Sequence, residues 1–529
     1  MRRILAAGAL TLTTSLVSLP TLAQAAESGE KLLATRCGSC HEPLPNGGLK
    51  RISQERKTPE GWDMSIFRMR LWHGVEISED EQKTLVEYLS DKQGLAPEET
   101  APFRYILERR PDVVEKPDDQ VGEMCARCHS VARVGLQRRD ADEWVKLANM
   151  HLGQFASLEY QALGRDRNWF EVATTKTAKL LGERFPFMTA AWSDWVTRPK
   201  KSPEGSWQVT GHQPGLGSFD GTAIIAKAGR DYTVHYDLTY SDGRKTHADG
   251  KASLYTGYEW RGSTSFDGNE VREVFALSTD GNSFGGRFYN TRADSIGGEI
   301  NAIRADRGST QILSLAPGYI KAGTSATVTI HGVGLTGKVD LGAGATVKRV
   351  VSTSPTAITV EVEAKADAAP GAYKVAVGGA SGDSSFAVYR QIDSVRVEPA
   401  QAIARVGGGG GQNPAAPAQF EAIGFLNGPD GKPGTADDIR IGEFQAVWST
   451  ANANPAAEKM RDVAFAGQID SQKGFFTPAA AGPNPERKFG TNNTGDLSVV
   501  AKVKDGDREV EGESHLVVTV QRWVDPPVR

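Results

Sequence analysis

The sequence Cys37-Gly38-Ser39-Cys40-His41 recurs later in the chain as Cys125-Ala126-Arg127-Cys128-His129. Both stretches, here called the first and second motif, have the C-x-x-C-H spacing of c-type haem attachment. Two thiols add to the vinyl groups of one porphyrin, and the adjacent histidine ligates the iron. A zinc ribbon would need a second cysteine pair close by, and a redox dithiol does not require the histidine. All four cysteines lie in these motifs, so the sequence predicts two covalent haems and no disulfide.

Length and charge narrow the class of protein. The chain has 529 residues, which at about 150 residues per domain predicts three or four domains. A formal net charge of −4 with 24% charged residues indicates an ordinary soluble surface. Nucleic-acid binding would need a basic bias, so we expect no nucleic-acid partner.

The N-terminus has the features of a secretory signal peptide. Met1-Arg2-Arg3 is basic, residues 4–19 form an apolar run, and Ala23-Gln24-Ala25 supplies the small residues of a cleavage site. The run is shorter than the ~20 residues that a membrane span needs. We therefore expect residues 1–25 to be removed and the mature chain to be periplasmic, without a membrane span.

Residues 26–198 are predicted to form a helical di-haem cytochrome c domain with two lobes, about 27–95 and 118–198. Ser78 and Glu81 form a capping box at the start of an amphipathic segment that resembles the closing helix of a class I cytochrome c. The stretches 62–69 and 144–150 resemble two copies of one helix. A segment rich in proline and charge, 98–118, joins the two lobes.

The sixth iron ligands have several candidates. These are Met64, Met69 and His73 in the first lobe, and Met150, His151 and Met188 in the second. Internal symmetry pairs Met69 with Met150, whereas His73 is the one histidine of its lobe besides His41. A methionine on an amphipathic helix is more often a core residue than a ligand. Because a second histidine lowers a haem potential and methionine raises it, one haem of each kind would make a directional pair.

After residues 199–203 the pattern changes from helix to strand. Residues 232–240 alternate between apolar and polar side chains, and Asp242-Gly243 supplies a hairpin turn. We predict an antiparallel β-barrel over 199–308, an immunoglobulin-like sandwich of the IPT/TIG type over 309–390, and a second immunoglobulin-like domain over 391–529. The fold class is therefore a multidomain α + β protein.

Other candidate sites are weaker. The histidines His212, His235 and His247 show no metal-ligand spacing and are interpreted as surface residues. Residues 430–438 offer oxygen ligands but lack the EF-hand spacing and its closing glutamate, so a plain turn is favoured over a calcium site. Gly215-Leu216-Gly217 lies among predicted strands, which excludes a dinucleotide fingerprint there. The chain thus has electron carriers but no visible group that transforms an organic substrate.

The whole layout resembles the α subunit of quinohaemoprotein amine dehydrogenase. The resemblance covers essentially the entire mature chain. It rests on the two haem motifs, the predicted strand Tyr255-Thr256-Gly257-Tyr258-Glu259-Trp260-Arg261-Gly262, and the stretch 428–442, which begins Gly428-Pro429-Asp430-Gly431. It implies an αβγ heterotrimer with a β-propeller subunit and a small subunit that carries a cysteine tryptophylquinone. Since each cysteine here belongs to a haem motif, the quinone is expected on the partner.

The resemblance also implies a function and a ligand set. Electrons from amine oxidation at the quinone would pass through the two haems to a small cytochrome c or blue copper protein. One haem would be held by two histidines and the other by His and Met, which maps onto His41 with His73 and onto His129 with Met150. Met69 and His151 are the alternatives.

Two other functions remain open from the sequence. A di-haem cytochrome c peroxidase would need one iron with a vacant or releasable sixth position. In a haem-bearing binding or scaffold protein, the β domains would carry the binding function and the haems would be accessory.

Overall fold

A computed structural model of the chain describes residues 27–521, except 46, 117–119, 156–157, 159–165, 267, 307 and 410–412. The expected signal peptide, the predicted start of the second lobe at 118–119 and the last eight residues lie outside the described residues. Within the described part, no helix is both long enough and apolar enough to cross a membrane.

The N-terminal part of the described chain is helical, with one short strand in each predicted lobe. The elements are α1 (Gly29–Leu32), β1 (Glu55–Lys57), α2 (Pro59–His73), α3 (Glu79–Gln93), α4 (Pro97–Thr100), α5 (Gln120–Cys125), α6 (Ala132–Gly135), β2 (Gln137–Arg139), α7 (Ala141–Gln154), α8 (Trp169–Val172), α9 (Ala178–Arg184) and α10 (Ala190–Thr197). Leu33–Cys37 and Ala173–Thr177 are π-helical turns, and Ala101–Ile106 is a 3₁₀ helix.

The longer helices begin and end at capping residues. The predicted capping box of α3 is present, with Ser78 and Glu81 each bonded to the other's backbone. Thr58 caps α2 by accepting from the backbone N–H of Gly61, and α2 ends at Gly74, whose φ of 65° suits a glycine. Asp140 caps α7. The cap residues therefore fix where the two longest helices of the motif-bearing region start.

The two lobes meet along a short antiparallel ladder. Strand β1 pairs with β2 so that Arg56 lies opposite Arg138. Each strand leads through one capping residue, Thr58 or Asp140, directly into α2 or α7. A local two-fold axis therefore passes between Arg56 and Arg138 and relates the two strand–helix units.

A single carboxylate, that of Glu99, binds the arginines on both sides of this axis. Arg56 donates two hydrogen bonds of 2.8 Å to it, and Arg138 Nε donates one of 3.0 Å. The Thr189 hydroxyl and the backbone N–H of Ala96 also donate to it. Burial alone would raise the pKa of Glu99, but the hydrogen bonds and charges of the two arginines hold it below its ordinary value.

A closed eight-stranded antiparallel barrel follows. Its strands are β3 (Gly205–Gln213), β4 (Gly217–Ala228), β5 (Asp231–Tyr240), β6 (Lys245–Tyr255), β7 (Glu259–Phe266), β8 (Asn269–Leu277), β9 (Ser283–Asn290) and β10 (Gly297–Arg304), and β10 pairs with β3. Large side chains, including Trp207, Tyr236 and Phe275, are buried in its interior. A barrel of this strand number is just wide enough for side chains to fill.

The third part consists of two four-stranded sheets over one apolar core. Its strands are β11 (Gln311–Ala316), β12 (Tyr319–Lys321), β13 (Ser325–Val333), β14 (Val339–Asp340), β15 (Thr346–Thr353), β16 (Ala357–Glu363), β17 (Gly371–Val377) and β18 (Ala380–Tyr389). The sheet orders are β11-β13-β16-β15 and β12-β18-β17-β14. Gly342–Gly344 forms a 3₁₀ turn.

The fourth part is also mostly β. Its elements are β19 (Ser394–Glu398), β20 (Gln401–Arg405), β21 (Ala418–Gln419), β22 (Glu421–Leu426), β23 (Ile439–Phe444), β24 (Ala446–Asn452), α11 (Pro455–Met460), α12 (Asp462–Phe465), β25 (Gly467–Ile469), β26 (Phe475–Pro478), β27 (Gly495–Asp505) and β28 (Arg508–Thr519). A 3₁₀ turn, Lys488–Gly490, precedes β27. The sheets have the orders β19-β22-β23, β20-β28-β27-β24 and β21-β26-β25.

The helical part contacts the barrel at the stretch 255–262. The sequence predicts a single strand here, and that prediction is wrong: Thr256 and Gly257 have φ values of 56° and 76° and form the turn between β6 and β7. The Tyr258 hydroxyl lies 2.8 Å from that of Thr100. Further bonds cross the interface from Thr256 N to Asp91, from Trp195 Nε1 to Thr256 O and from Arg261 to Glu60. The turn and the start of β7 therefore hold helices from both lobes against the barrel.

We expect the substitution Glu99→Gln to lower the free energy of unfolding of the holoprotein by about 3–5 kcal/mol, because it leaves two buried guanidinium groups without their carboxylate. The matched control is Glu98→Gln, since Glu98 is the exposed neighbour; its effect should stay within about 0.5 kcal/mol. Urea unfolding followed by far-ultraviolet circular dichroism measures both. Equal effects of the two substitutions would contradict the role given to Glu99.

Candidate haem-binding site

The first motif follows the short helix α1 through a π-helical turn that ends at Cys37. Cys37 is half-buried, Cys40 is exposed and both thiols are free. Burial raises the pKa of the Cys37 thiol. His41 Nδ1 lies 2.9 Å from the carbonyl oxygen of Lys50. Since a carbonyl only accepts, Nδ1 carries the proton and Nε2 keeps its lone pair for a metal.

The second motif has the same features. Cys125 ends helix α5, and neither Cys125 nor Cys128 forms a disulfide bond. His129 Nδ1 lies 3.0 Å from the carbonyl oxygen of Ser130, which again leaves Nε2 as the metal-binding nitrogen. Burial lowers the pKa of His129. The imidazole is therefore held in the neutral form that ligates iron.

The carboxylate of Glu115 fixes the loop after His129. It accepts hydrogen bonds from the Tyr105 hydroxyl at 2.5 Å and from the backbone N–H groups of Val131 and Ala132, and it is also bonded to the Ser130 hydroxyl. Burial alone would raise the pKa of Glu115, but these hydrogen bonds hold it below its ordinary value. Since His129 bonds to the carbonyl of Ser130, Glu115 also orients that imidazole.

Across from His129 lies His151 on helix α7. The two ring centroids are 6.3 Å apart, with an angle of 44° between the planes. Two imidazoles on opposite sides of one metal ion, with bonds of about 2 Å and about 1.1 Å from nitrogen to ring centroid, would be about 6.2 Å apart. His151 Nδ1 lies 2.8 Å from Leu147 O, and burial lowers the pKa of His151. Its Nε2 is therefore also left for a metal.

When α2 and α7 are aligned by their capping residues, Met69 corresponds to the residue after Met150. Trp62 follows the cap of α2 by four residues, and Trp144 follows the cap of α7 by four residues. Met69 follows Trp62 by seven residues, and the residue seven after Trp144 is His151. On a helix, such residues share a face with the buried tryptophan. Met69 is thus the counterpart of His151.

The same alignment of α2 with α7 distinguishes the other candidate iron ligands from Met69 and His151. His73 lies one turn beyond Met69, is exposed, and corresponds to Phe155 in the second lobe. Met150 is rotated by about 100° from His151 on the same helix, and Met64 is likewise off the face of Met69. Met188 is exposed.

The end of α2 lies beside the second motif. Trp72 packs edge-to-face on Phe155 at 6.0 Å between ring centroids, and Phe155 lies 5.6 Å from the ring of His151. The positive charge of Arg68 on α2 adds to burial in lowering the pKa of both His129 and His151. The two lobes therefore meet through aromatic side chains that adjoin the candidate ligands.

The residues around both motifs fit a haem. A cleft of about 830 Å³ opens beside Arg36, the residue before Cys37, and Phe67, Leu71 and Val75 are among the side chains that line it. Leu71 and Leu152 are exposed apolar residues near the ends of α2 and α7. Thiols outside disulfide bonds, histidines with an available Nε2 and apolar side chains are what covalent haem attachment requires.

His212 and the loop 430–438 form hydrogen bonds within the protein. His212 Nε2 lies 2.8 Å from Glu421 Oε1, and its Nδ1 lies 3.1 Å from the Ser218 hydroxyl, so this histidine links the barrel to the fourth part. In the 430–438 loop, Asp438 accepts from the backbone N–H groups of Gly434 and Thr435. Such bonds are typical of a self-contained turn.

The chain matches protein-family models along nearly its whole length. Residues 27–192 match the family described as "Quinohemoprotein amine dehydrogenase A, alpha subunit, haem binding". Residues 200–305, 309–390 and 395–528 match domains II, III and IV of the same alpha subunit. The chain belongs to the quinohemoprotein amine dehydrogenase alpha-subunit family. Membership confirms the resemblance seen in the sequence, and it makes the chain a haem-binding subunit of an oxidoreductase that has other subunits.

Comparison with solved structures finds distant likenesses to this alpha subunit. The redesigned β-barrel mFAP1 bound to DFHBI is 16% identical over 19% of this chain and 90% of that chain, with a TM-score of 0.17. The Bacteroides ovatus SGBP-B of a mixed-linkage glucan utilization locus is 13% identical, with a TM-score of 0.20, over 59% of this chain and 61% of that chain. Likenesses of this size carry no argument about function. No curated protein matches the chain.

We expect Glu115→Gln to destabilise the alpha subunit by about 1–3 kcal/mol, because a neutral amide cannot satisfy the donors that converge on the carboxylate. Glu123→Gln is the control, since Glu123 is exposed and forms a surface ion pair with Arg167; its effect should be within about 0.5 kcal/mol. Urea midpoints of the two variants provide the measurement. If Glu115→Gln unfolds at the parent's midpoint, Glu115 does not hold the loop of the second motif.

Proposed function

We propose that this chain is the di-haem electron-transfer subunit of a periplasmic amine dehydrogenase. It takes electrons from a cysteine tryptophylquinone on a partner subunit during oxidative deamination of primary amines, and passes them to a small cytochrome c or blue copper protein. The family match over the motif-bearing region carries the proposal. Support comes from the cysteine count, because both motifs together use every thiol in the chain and leave none for a quinone cross-link.

The proposed assembly is an αβγ heterotrimer with a β-propeller subunit and a small quinone-bearing subunit. The basic and apolar N-terminal sequence supports export to the periplasm, which also agrees with covalent haem attachment outside the bacterial cytoplasm. In this assembly the third and fourth parts of the chain, which we interpret as immunoglobulin-like domains, serve as a platform for the helical region and for the partner subunits.

A bound haem supplies one-electron transfer, and its potential is set by the axial ligands and the surrounding polarity. The protein's part is to hold and orient those ligands. The carbonyl groups of Lys50 and Ser130 fix the two motif histidines by accepting from Nδ1. Burial keeps His129 and His151 neutral. These residues therefore present lone pairs without needing to lose a proton first.

We assign His41 and Met69 to the first haem and His129 and His151 to the second. Cys37 and Cys40 attach the first haem, and Cys125 and Cys128 attach the second. The 6.3 Å separation of the His129 and His151 rings supports the second pair, and the register of α2 with α7 supports Met69. This assignment replaces His73 and Met150, which the resemblance suggests, with the two alternatives.

The contact between the lobes suits electron exchange between the two sites. Trp72 is exposed at the end of α2 and packs against Phe155, which in turn adjoins His151. These aromatic side chains connect the end of α2 with the end of α7, beside His151. If the first haem is His–Met and the second bis-His, the second has the lower potential, and electrons would move from the second lobe to the first.

The function is tested on the complex purified at its native stoichiometry. Anaerobic addition of a primary amine should reduce haem in the complex, and a redox-cycling quinone stain should mark a small partner chain but not this one. The denatured chain should retain two covalently bound haems by mass spectrometry. The chain turning over hydrogen peroxide by itself, with no response to amine, would favour a di-haem peroxidase and overturn the proposal.

The ligand assignment predicts one sulfur-to-iron charge-transfer band in the absorption spectrum of the oxidised protein. Met69→His should abolish that band, because it replaces the only thioether ligand. Met150→Leu and His73→Ala are the controls and should leave the band in place. Loss of the band in Met150→Leu, with its retention in Met69→His, would restore the ligand set implied by the resemblance.

A further inference from the structure

Two histidines from neighbouring strands of the barrel lie close together on its outer surface. Strand β5 pairs with β6 so that His235 lies opposite Asp249 and Asp237 lies opposite His247. Side chains two residues apart on a strand share a face, and the buried residues Val234, Tyr236 and Ala248 occupy the other face of these strands. The two histidines and two aspartates therefore form a four-residue group on the outside of the barrel, here called the β5–β6 cluster.

The atoms of the β5–β6 cluster converge. The ligand atoms of His235, Asp237 and His247 all lie within 4.8 Å of one another. His235 Nε2 is 3.5 Å from Asp237 Oδ1, and His247 Nδ1 is bonded to the same oxygen. Tetrahedral zinc, with bonds of about 2.0–2.1 Å, separates its ligand atoms by about 3.4 Å. Shifts of about an ångström in exposed side chains would bring all three to that separation.

Asp249 holds His235 in the orientation that a ligand needs. Its Oδ1 lies 2.7 Å from His235 Nδ1, and a carboxylate only accepts, so Nδ1 carries the proton and Nε2 faces Asp237. Metal-ligating histidines commonly donate their second N–H to a carboxylate in this way. The cluster thus has three ligands and the supporting carboxylate of one of them.

We propose that His235, Asp237 and His247 bind a divalent transition-metal ion, with zinc as the best match, and that Asp249 positions His235. Imidazole with carboxylate suits zinc, copper and nickel, whereas magnesium and calcium take oxygen ligands. Three protein ligands leave one tetrahedral position for water or another external ligand. The site joins two adjacent strands of the barrel wall and is independent of the haem motifs and of the proposed function.

The test is zinc titration of the mature holoprotein by isothermal titration calorimetry. The protein carries no histidine tag and is treated with EDTA and dialysed beforehand. We expect the β5–β6 cluster to bind one zinc ion per chain saturably. Magnesium should not compete for this zinc binding. The double substitution His235→Ala with His247→Ala should abolish that binding. Asp249→Asn should weaken it by about 10–100-fold, as the loss of a supporting carboxylate usually does.

The matched control is His515→Ala. His515 is an exposed histidine that also pairs with an aspartate, Asp496, on a neighbouring strand, and it belongs to neither of the groups with three convergent ligands found among the described residues. Its substitution should leave zinc binding unchanged. The proposal is overturned if the parent shows no saturable binding, if the double variant binds like the parent, or if His515→Ala weakens binding as much as Asp249→Asn does. Because all these side chains are on the surface, circular dichroism of each variant should match the parent.

Discussion

The carboxylate of Glu99 lies between Arg56 and Arg138, which are the central residues of the ladder that joins the two lobes. A buried carboxylate bound to two buried guanidinium groups tolerates little displacement, because any group left unpaired would carry a large desolvation penalty. The ladder in turn determines where α2 and α7 begin. Since Met69 and His151 lie on those helices, the positions of both proposed distal ligands depend on this one network.

The helical part is also held by the barrel. Arg261 and Tyr258, beside the turn between β6 and β7, contact Glu60 and Thr100 of the helical part. The side chains that fill the barrel interior leave it as a rigid support. An electron carrier benefits from such support, because transfer between two haems depends on their keeping a fixed separation and orientation. In the proposed function, the β domains therefore support the haem-binding region from outside.

Much of the architecture can be predicted from local sequence. The C-x-x-C-H spacing predicts the haem-attachment residues. The Ser78–Glu81 box marks the start of a helix, and the alternation over 232–240 identifies a barrel strand. The remaining features depend on contacts between distant residues. In the sequence, Glu99 is one of several charged residues, and only the folded structure places Arg56 and Arg138 beside it. His235 and His247 come together only through the register of β5 with β6. The equivalence of Met69 and His151 in the two lobes could have been found by counting from Trp62 and Trp144. The choice of His151 as a ligand also needed the position of His129 in the structure.

The central claim is that two similar lobes hold haems of unequal ligation. Potentiometric titration of the holoprotein tests it most directly. Two separate one-electron steps are expected. Met69→His should move only the higher-potential step downward, and His151→Met should move only the lower-potential step upward, because thioether sulfur favours ferrous iron more than imidazole does. A lower-potential step that responds to substitution of His73, with neither step responding to substitution of His151, would contradict this ligation.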